Sequence, residues 1–405
     1  MLLTTFFGAC VNQSPVSTTG YADFAELIAE KINQSDNDWI NQHFDYSHII
    51  EKATKGVEAP EYYRKGFEEG FYKVYTPGAI MNNALGYEGN IRFLFMKANT
   101  EKTALFRIVS ENGLNYLEVD LTTDKEGNIA IKDFYSLTEG EWFSQGIKRL
   151  YIIHLAREVE EFSNPLADMA PLVDEVGELA DEGKAAEAFD KLMNMPESVL
   201  DQKIILLILL NLGQDLGKEY LKKSTEFYKE KYPNDALPYL KEMEYAFLNQ
   251  APNTVVQQTI ENLREQIGDD PYLKLLEGGN LNQAGQSEAA LTTLEAAVSA
   301  EPDNDEFYWT LFDVLIQNKF YDKTIAYFQQ FKKEFEENPA DYLLYDGYKA
   351  FYQSKQYREW VRNNPLQGNP NLNIDSLINA VEEMMENGES PHNHDHDHNH
   401  HGHEH

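Results

Sequence analysis

The chain is short of cysteine, of positive charge and, outside one segment, of histidine. Cys10 is the one cysteine among 405 residues. No intramolecular disulfide can form, so packing and hydrogen bonds must hold the fold. Lysine and arginine total 34 against 68 aspartates and glutamates, a formal net charge of -34. A field of that sign repels phosphate backbones and anionic headgroups, which argues against nucleic acid and against wide contact with a lipid surface. No stretch approaches the roughly 20 apolar residues of a membrane-spanning helix. There is no glycine-rich phosphate loop, no Ser/His/Asp or Cys/His arrangement, and no carboxylate pair at diagnostic spacing. The expectation is a non-catalytic protein.

What is present is a chain 42% hydrophobic and 12% aromatic, enough for packed cores and for two or three domains. It opens "MLLTTFFGACVNQSPVSTTGYADF". An apolar run ends Gly8-Ala9-Cys10, and a polar spacer with Pro15 and Gly20 follows. This resembles the end of a bacterial lipoprotein signal peptide. The resemblance implies that residues 1–10 are a signal region, that Cys10 carries lipid and that 11–20 is a flexible tether. Phe7 departs from the usual leucine, and no Lys or Arg precedes the apolar run. The implied location is the bacterial cell envelope, lipid-anchored and facing the periplasm or the cell surface, with membrane contact only through that lipid.

Residues 21–162 read as an α+β domain. Phe24, Leu27, Ile28 and Ile32 share a helical face, as do Tyr63, Phe67, Phe71 and Val74 after Pro60. A shorter helix lies near His48–Ala53. The period then changes to two over 90–98, 103–111, 114–122 and 128–136, with Asn112-Gly113 as a tight hairpin turn. The spacing predicts an antiparallel meander followed by a helix over about 141–161. Helices followed by such a sheet weakly resemble the cystatin and NTF2-like folds, some of which hold a pocket between helix and sheet. For an enzyme using that pocket the candidates are His48, Asp133, Tyr135 and His154. The plainer expectations are that His154 is a core histidine and that Asp133 faces solvent from its strand.

Strand signals vanish over 165–365 and a repeat takes their place. The clearest unit includes "GGNLNQAGQSEAALTTLEAAVSAEPDNDEFYWTL". With Pro271 as position 1, the small residues Gly278, Ala290 and Ala297 allow two helices to approach closely. Leu281 and Leu294 fill the seam, and Pro302 ends the unit. This resembles a tetratricopeptide repeat (TPR), and unit starts near 169, 202, 240, 271, 305 and 341 keep step with it. The resemblance implies an all-α superhelical solenoid whose groove binds a protein or peptide partner. Tyr239, Tyr245, Trp309 and Tyr345 are the candidate partner-binding residues, since aromatic side chains make good interface anchors.

Residues 366–388 read as a linker and a capping helix with Leu377, Ile378, Val381 and Met384 on one face. The last segment, 389–405, is low in complexity and reads as disordered. It holds His392, His394, His396, His398, His400, His401, His403 and His405, eight of the chain's eleven histidines. Imidazoles interleaved with Asp395, Asp397 and Glu404 suit Zn, Ni or Cu, though no cofactor is required by anything else in the chain. Three functions are therefore open: an envelope interaction scaffold, a metal-buffering or metal-delivery protein, and an enzyme with a pocket in the α+β domain.

Overall fold

The computed structural model describes residues 20–365 except 84–88, 98–101, 112, 124–125, 160–161, 163, 165–168 and 344–345. Cys10, Tyr345, the expected capping helix and the His-rich tail lie outside the described residues. The chain divides into two compact units, Met1–Glu242 and Met243–His405. Each has its own apolar core. The segment 165–365, expected as one repeat domain, is shared between the two units.

Unit 1 begins with α1 (Tyr21–Asn33), α2 (Asn37–Gln42), α3 (Tyr46–Thr54), α4 (Glu61–Val74) and α5 (Pro77–Asn83). Local chemistry starts two of them: Asp36 accepts from the Trp39 N–H at the head of α2, and Asp45 from the His48 N–H at the head of α3. Sequence periodicity missed α2 and α5, which are too short to show a stripe. They meet at Gly78, where a Cβ would come within 2.6 Å of the Asn37 carbonyl oxygen. Only glycine permits that approach.

The sheet follows: β1 (Asn90–Met96), β2 (Thr103–Ser110), β3 (Gly113–Thr123), β4 (Ile129–Ser136) and a short β5 (Glu141–Trp142). Strand order is β1-β2-β3-β4-β5, every pair antiparallel, which is the expected meander. The tight turn rests on Gly113, whose φ of 97° suits glycine. Ala104, Phe106 and Ile108 of β2 join Leu117, Val119 and Leu121 of β3 on one face. They pack with Phe24, Ile28 and Ile32 of α1 and with Ile49 of α3. Burying each such large side chain contributes about 1.5–3 kcal/mol.

The other face is covered too, since Leu105, Arg107 and Tyr116 are also buried. Edge groups are met by side chain and loop. Asn33 both donates to and accepts from the backbone of Ile91 on β1, at 2.8 and 2.9 Å. The backbone of residues 43–45 pairs with Ile131 of β4. Such pairing blunts an edge strand against foreign partners. The helix expected from 141 starts two residues later, as α6 (Phe143–Glu158), because Glu141 and Trp142 pair with β4 instead.

The helical hairpins confirm TPR-like helical repeats. Two lie in unit 1: Ala170–Asp181 with Ala185–Met193, and Lys203–Leu216 with Lys218–Lys231. Leu237–Leu248 and Asn253–Ile267 follow in the same spacing. Unit 2 continues with Pro271–Gln283 against Ser287–Ala300, and Asp305–Gln317 against Tyr321–Phe335. First helices thus start at 170, 203, 237, 271 and 305, 33, 34, 34 and 34 residues apart. That is more regular than the sequence suggested. The start expected at 240 moves to 237 because Pro238 sits inside the first turn of its helix, where proline is tolerated.

Gly278 does what its spacing predicted: a Cβ there would lie 2.5 Å from Leu294 Cγ. Gly213 plays the same part in the second hairpin, where a Cβ would come within 3.1 Å of Leu221 Cα. The final hairpin departs from expectation. Its first helix is replaced by 3-10 turns at Pro339–Asp341 and Asp346–Tyr348 and a single helical turn, Lys349–Tyr352, before Lys355–Asn363. The buried Asn338 side chain holds this arrangement. It accepts from the Ala340 N–H and the Trp360 indole N–H and donates to the Asn364 carbonyl.

Candidate functional site

The first helices of unit 2 carry one continuous polar stripe. Glu306, Trp309, Asp313 and Gln317 fall three, four and four residues apart, which places them on one helical face. Hydrogen bonds tie this face to its neighbours: Tyr272 donates to Glu306 at 3.0 Å, and Asn282 to Gln317 at 3.1 Å. Tyr348 donates to Asp313 at 2.6 Å. Trp309 stands at the centre, half-buried. Its indole N–H donates to Asp305 at 3.3 Å, and its ring meets Phe312 and Phe331 beneath. On the outer side it meets Tyr342, whose centroid is 5.8 Å away and which is 53% exposed.

The candidate partner-binding residues fare differently. Trp309 lies on the stripe. Tyr245 is half-buried and stands one repeat before Gly279 and two before Asp313, so it occupies a stripe position in the repeat register. Tyr239 does not. Its register equivalents, Leu273 and Phe307, are core residues, and Lys229 lies over its ring at 4.0 Å. Tyr345 is outside the described residues. Tyr342 was missed, because it follows a 3-10 turn that no helical periodicity marks.

The residues considered for an enzyme are not gathered into one site. Asp133, expected to face solvent, is buried. It accepts from the Phe134 and Ser144 N–H groups at 3.0 and 3.1 Å, capping the start of α6 across from β4. Burial raises its pKa, an effect that the hydrogen bonds from Ser144 and Phe134 oppose. His48 is half-buried, and its pKa is lowered, first by burial and then by Lys132. The expected core histidine, His154, is instead exposed, because it sits on the side of α6 that turns away from the sheet.

Tyr135 belongs to a buried junction between the sheet and the second hairpin of unit 1. Its hydroxyl donates to Asp235 at 2.8 Å, and so does that of Tyr228 at 2.7 Å. Lys203 Nζ closes an ion pair with the same carboxylate at 2.7 Å. Asp235 also accepts from the Leu237 N–H at 3.1 Å. Burial and then the Asp235 charge push both tyrosines well above the usual phenol range. Every acceptor position is engaged, so this is a structural lock with no room for a substrate.

His154 does line a cavity, of about 510 Å³, between α4 and α6. Among the described residues no cluster of three His, Cys, Asp or Glu side chains is arranged to hold a metal. Nor is any helix among them long and apolar enough to cross a membrane.

No family model matches the chain, and no curated protein matches it. Among solved structures it is similar to YrrB, described as a TPR protein with an unusual peptide-binding site. That similarity has a TM-score of 0.33 and 16% identity, covering 49% of this chain and 99% of that one. The hairpin geometry stands without it.

Proposed function

We propose that the protein is a non-catalytic interaction scaffold whose repeats bind an extended, basic peptide segment of a protein partner along the stripe centred on Trp309. One observation carries this reading: a partly exposed Trp309–Tyr342 pair lies on the stripe that also carries the carboxylates of Glu306 and Asp313 and the amides of Asn282 and Gln317. Aromatic rings supply the anchor, amides suit a peptide backbone, and carboxylates select positive side chains. The net charge of -34 favours approach of such a segment. Cys10 as a lipid anchor, with placement in the cell envelope, is part of the proposal and rests on the sequence alone. Phase partitioning of the full chain against Cys10→Ser tests it; equal partitioning of both into detergent would remove the anchor.

The test of the binding reading is fluorescence anisotropy with labelled Lys/Arg-rich and Asp/Glu-rich peptide pools. The basic pool should bind, weaken in high salt, and lose at least about tenfold in affinity on Trp309→Ala. Because Trp309 also packs on Phe312 and Phe331, the exposed charge reversal Glu306→Lys serves as the second variant. If both variants bind like the parent, the stripe is not the site. The His-rich tail supports a second reading, Zn, Ni or Cu buffering. Its test is metal titration of the full chain against a chain ending at residue 390, and equal uptake by both would discard it.

A further inference from the structure

The cavity between α4 and α6 is lined by residues that precede the repeats, and it borders the sheet core through Phe71. Its floor is α4, where Tyr62, Gly66, Gly70 and Val74 fall at intervals of four, beside Tyr63, Phe67 and Tyr75. Its wall is α6, through Tyr151, His154 and Glu158. The helices touch through Tyr151, whose ring lies 4.6 Å from Phe67 and 5.4 Å from Tyr63.

Two features of this cavity lack a packing explanation. A glycine inside a helix costs about 0.5–1 kcal/mol relative to alanine, and α4 has two. Gly78 and Gly278 are forced by close neighbours, but nothing lies within 4 Å of a Cβ built at Gly66 or Gly70. What the two glycines do is keep the floor open. Tyr151 is 1% exposed, and its hydroxyl has no hydrogen-bond partner among the described residues. Buried hydroxyls are normally satisfied.

We infer that this cavity binds a small organic cation, an ammonium or alkylated ammonium carried on an apolar body. The walls are aromatic, and ring faces attract cations. The lining contains no lysine or arginine, and Glu158 at the rim supplies a carboxylate. Tyr63 registers the same environment: its hydroxyl is pushed up to about 12, first by burial, then by Tyr151 and Glu158. The volume falls within the range of sites for small molecules.

The test is ligand-observed NMR titration of the full chain with choline and benzyltrimethylammonium, with 3,3-dimethylbutan-1-ol as the uncharged isostere of choline. The cations should saturate, and the isostere should bind roughly tenfold more weakly or worse. Glu158→Gln, at an exposed position, should weaken the cations several-fold. Gly70→Leu should abolish binding while leaving the chain folded and slightly more stable, since the helix gains a better former. Trp309→Ala should leave binding unchanged, which separates this site from the peptide stripe. Equal binding of choline and its isostere would overturn the cation assignment. Undiminished binding by Gly70→Leu, or no saturation by either cation, would overturn the site.

Discussion

In residues 243–365 hydrogen bonds between successive repeat units recur at about one repeat's separation. Tyr272 to Glu306 spans 34 residues, Asn282 to Gln317 35, and Asp313 to Tyr348 35. In residues 20–242 the contacts that tie the sheet to distant segments share no common separation. Tyr135 reaches Asp235 across 100 residues, Lys203 reaches Tyr135 across 68, and Asn33 reaches Ile91 across 58. In the repeats polar contacts link each unit to the next, so stability is a sum over neighbours. In the first unit single residues hold distant segments together, and their loss has no substitute.

The largest effect that would break this contrast lies at Asp235. Its side chain is 8% exposed and carries Lys203, Tyr135 and Tyr228. Asp235→Asn keeps an acceptor for the tyrosines but leaves Lys203 without its counter-charge. Breaking a buried pair on one side costs about 3–5 kcal/mol, and partial exposure of Lys203 places the expected loss near the lower end. Hydrogen exchange read peptide by peptide should show the loss across residues 20–242 and little change across 243–365. A loss under about 1 kcal/mol would show that the junction is not what holds the hairpin to the sheet.

In the repeats the sensitive positions are the small ones. Gly278→Ala sets a methyl against Leu294 in the seam, an overpacking expected to cost about 1–3 kcal/mol. Adding Leu294→Ala should recover part of that cost, with a coupling above about 0.5 kcal/mol. Urea unfolding of the two single variants and the double variant measures it. Additive losses would mean that the two residues do not share the seam, and would remove the sharpest local feature from the unit 2 side of the contrast.

The same contrast explains what could be read from the sequence. The repeat was legible because its determinants are local and recur: Gly278, Leu294 and Ala297 announce a hairpin by spacing alone. The meander was legible through alternation and through Gly113. Asp133 and Tyr135 were not, because period-two reading assigns one face to the core and one to solvent. Here the solvent-side assignment failed, since Asp133 caps α6 and Tyr135 meets Asp235 just after the second hairpin. No window around 133–135 contains that partner. For His154, the apolar residues around it on α6 suggested burial, but the helix turns that position away from the sheet. Of the proposed interface, Trp309 was legible as an aromatic on the first helix of a repeat, whereas Tyr342 depends on a 3-10 turn.

The smallest expected effect repeats the first substitution at another buried aspartate. Asp133 is 5% exposed, yet among the described residues no lysine or arginine is paired with it as Lys203 is with Asp235; its acceptors serve Phe134 and Ser144, and His48 is the nearby group whose charge acts on it. Burial raises its pKa. The native state therefore holds this proton more tightly than the unfolded chain, whose carboxyl titrates near 3.9, about the ordinary value. The contribution is fully present below about pH 4 and is lost as pH rises through the raised native value. At neutral pH the ionised group costs stability. Asparagine keeps an oxygen for the two N–H groups, and its amide can donate to the Ser144 hydroxyl, while no charge is buried. Asp133→Asn should thus change neutral-pH stability by less than about 1 kcal/mol, within a single hydrogen bond's worth. Relative to the parent it should gain stability as pH rises from about 4 through the raised value, then level off. Urea midpoints taken from pH 3.5 to 8 would show this. A loss above about 2 kcal/mol that grows as pH rises through this range would mean that the carboxylate charge itself supports α6, and that Asp133 is a lock of the same kind as Asp235.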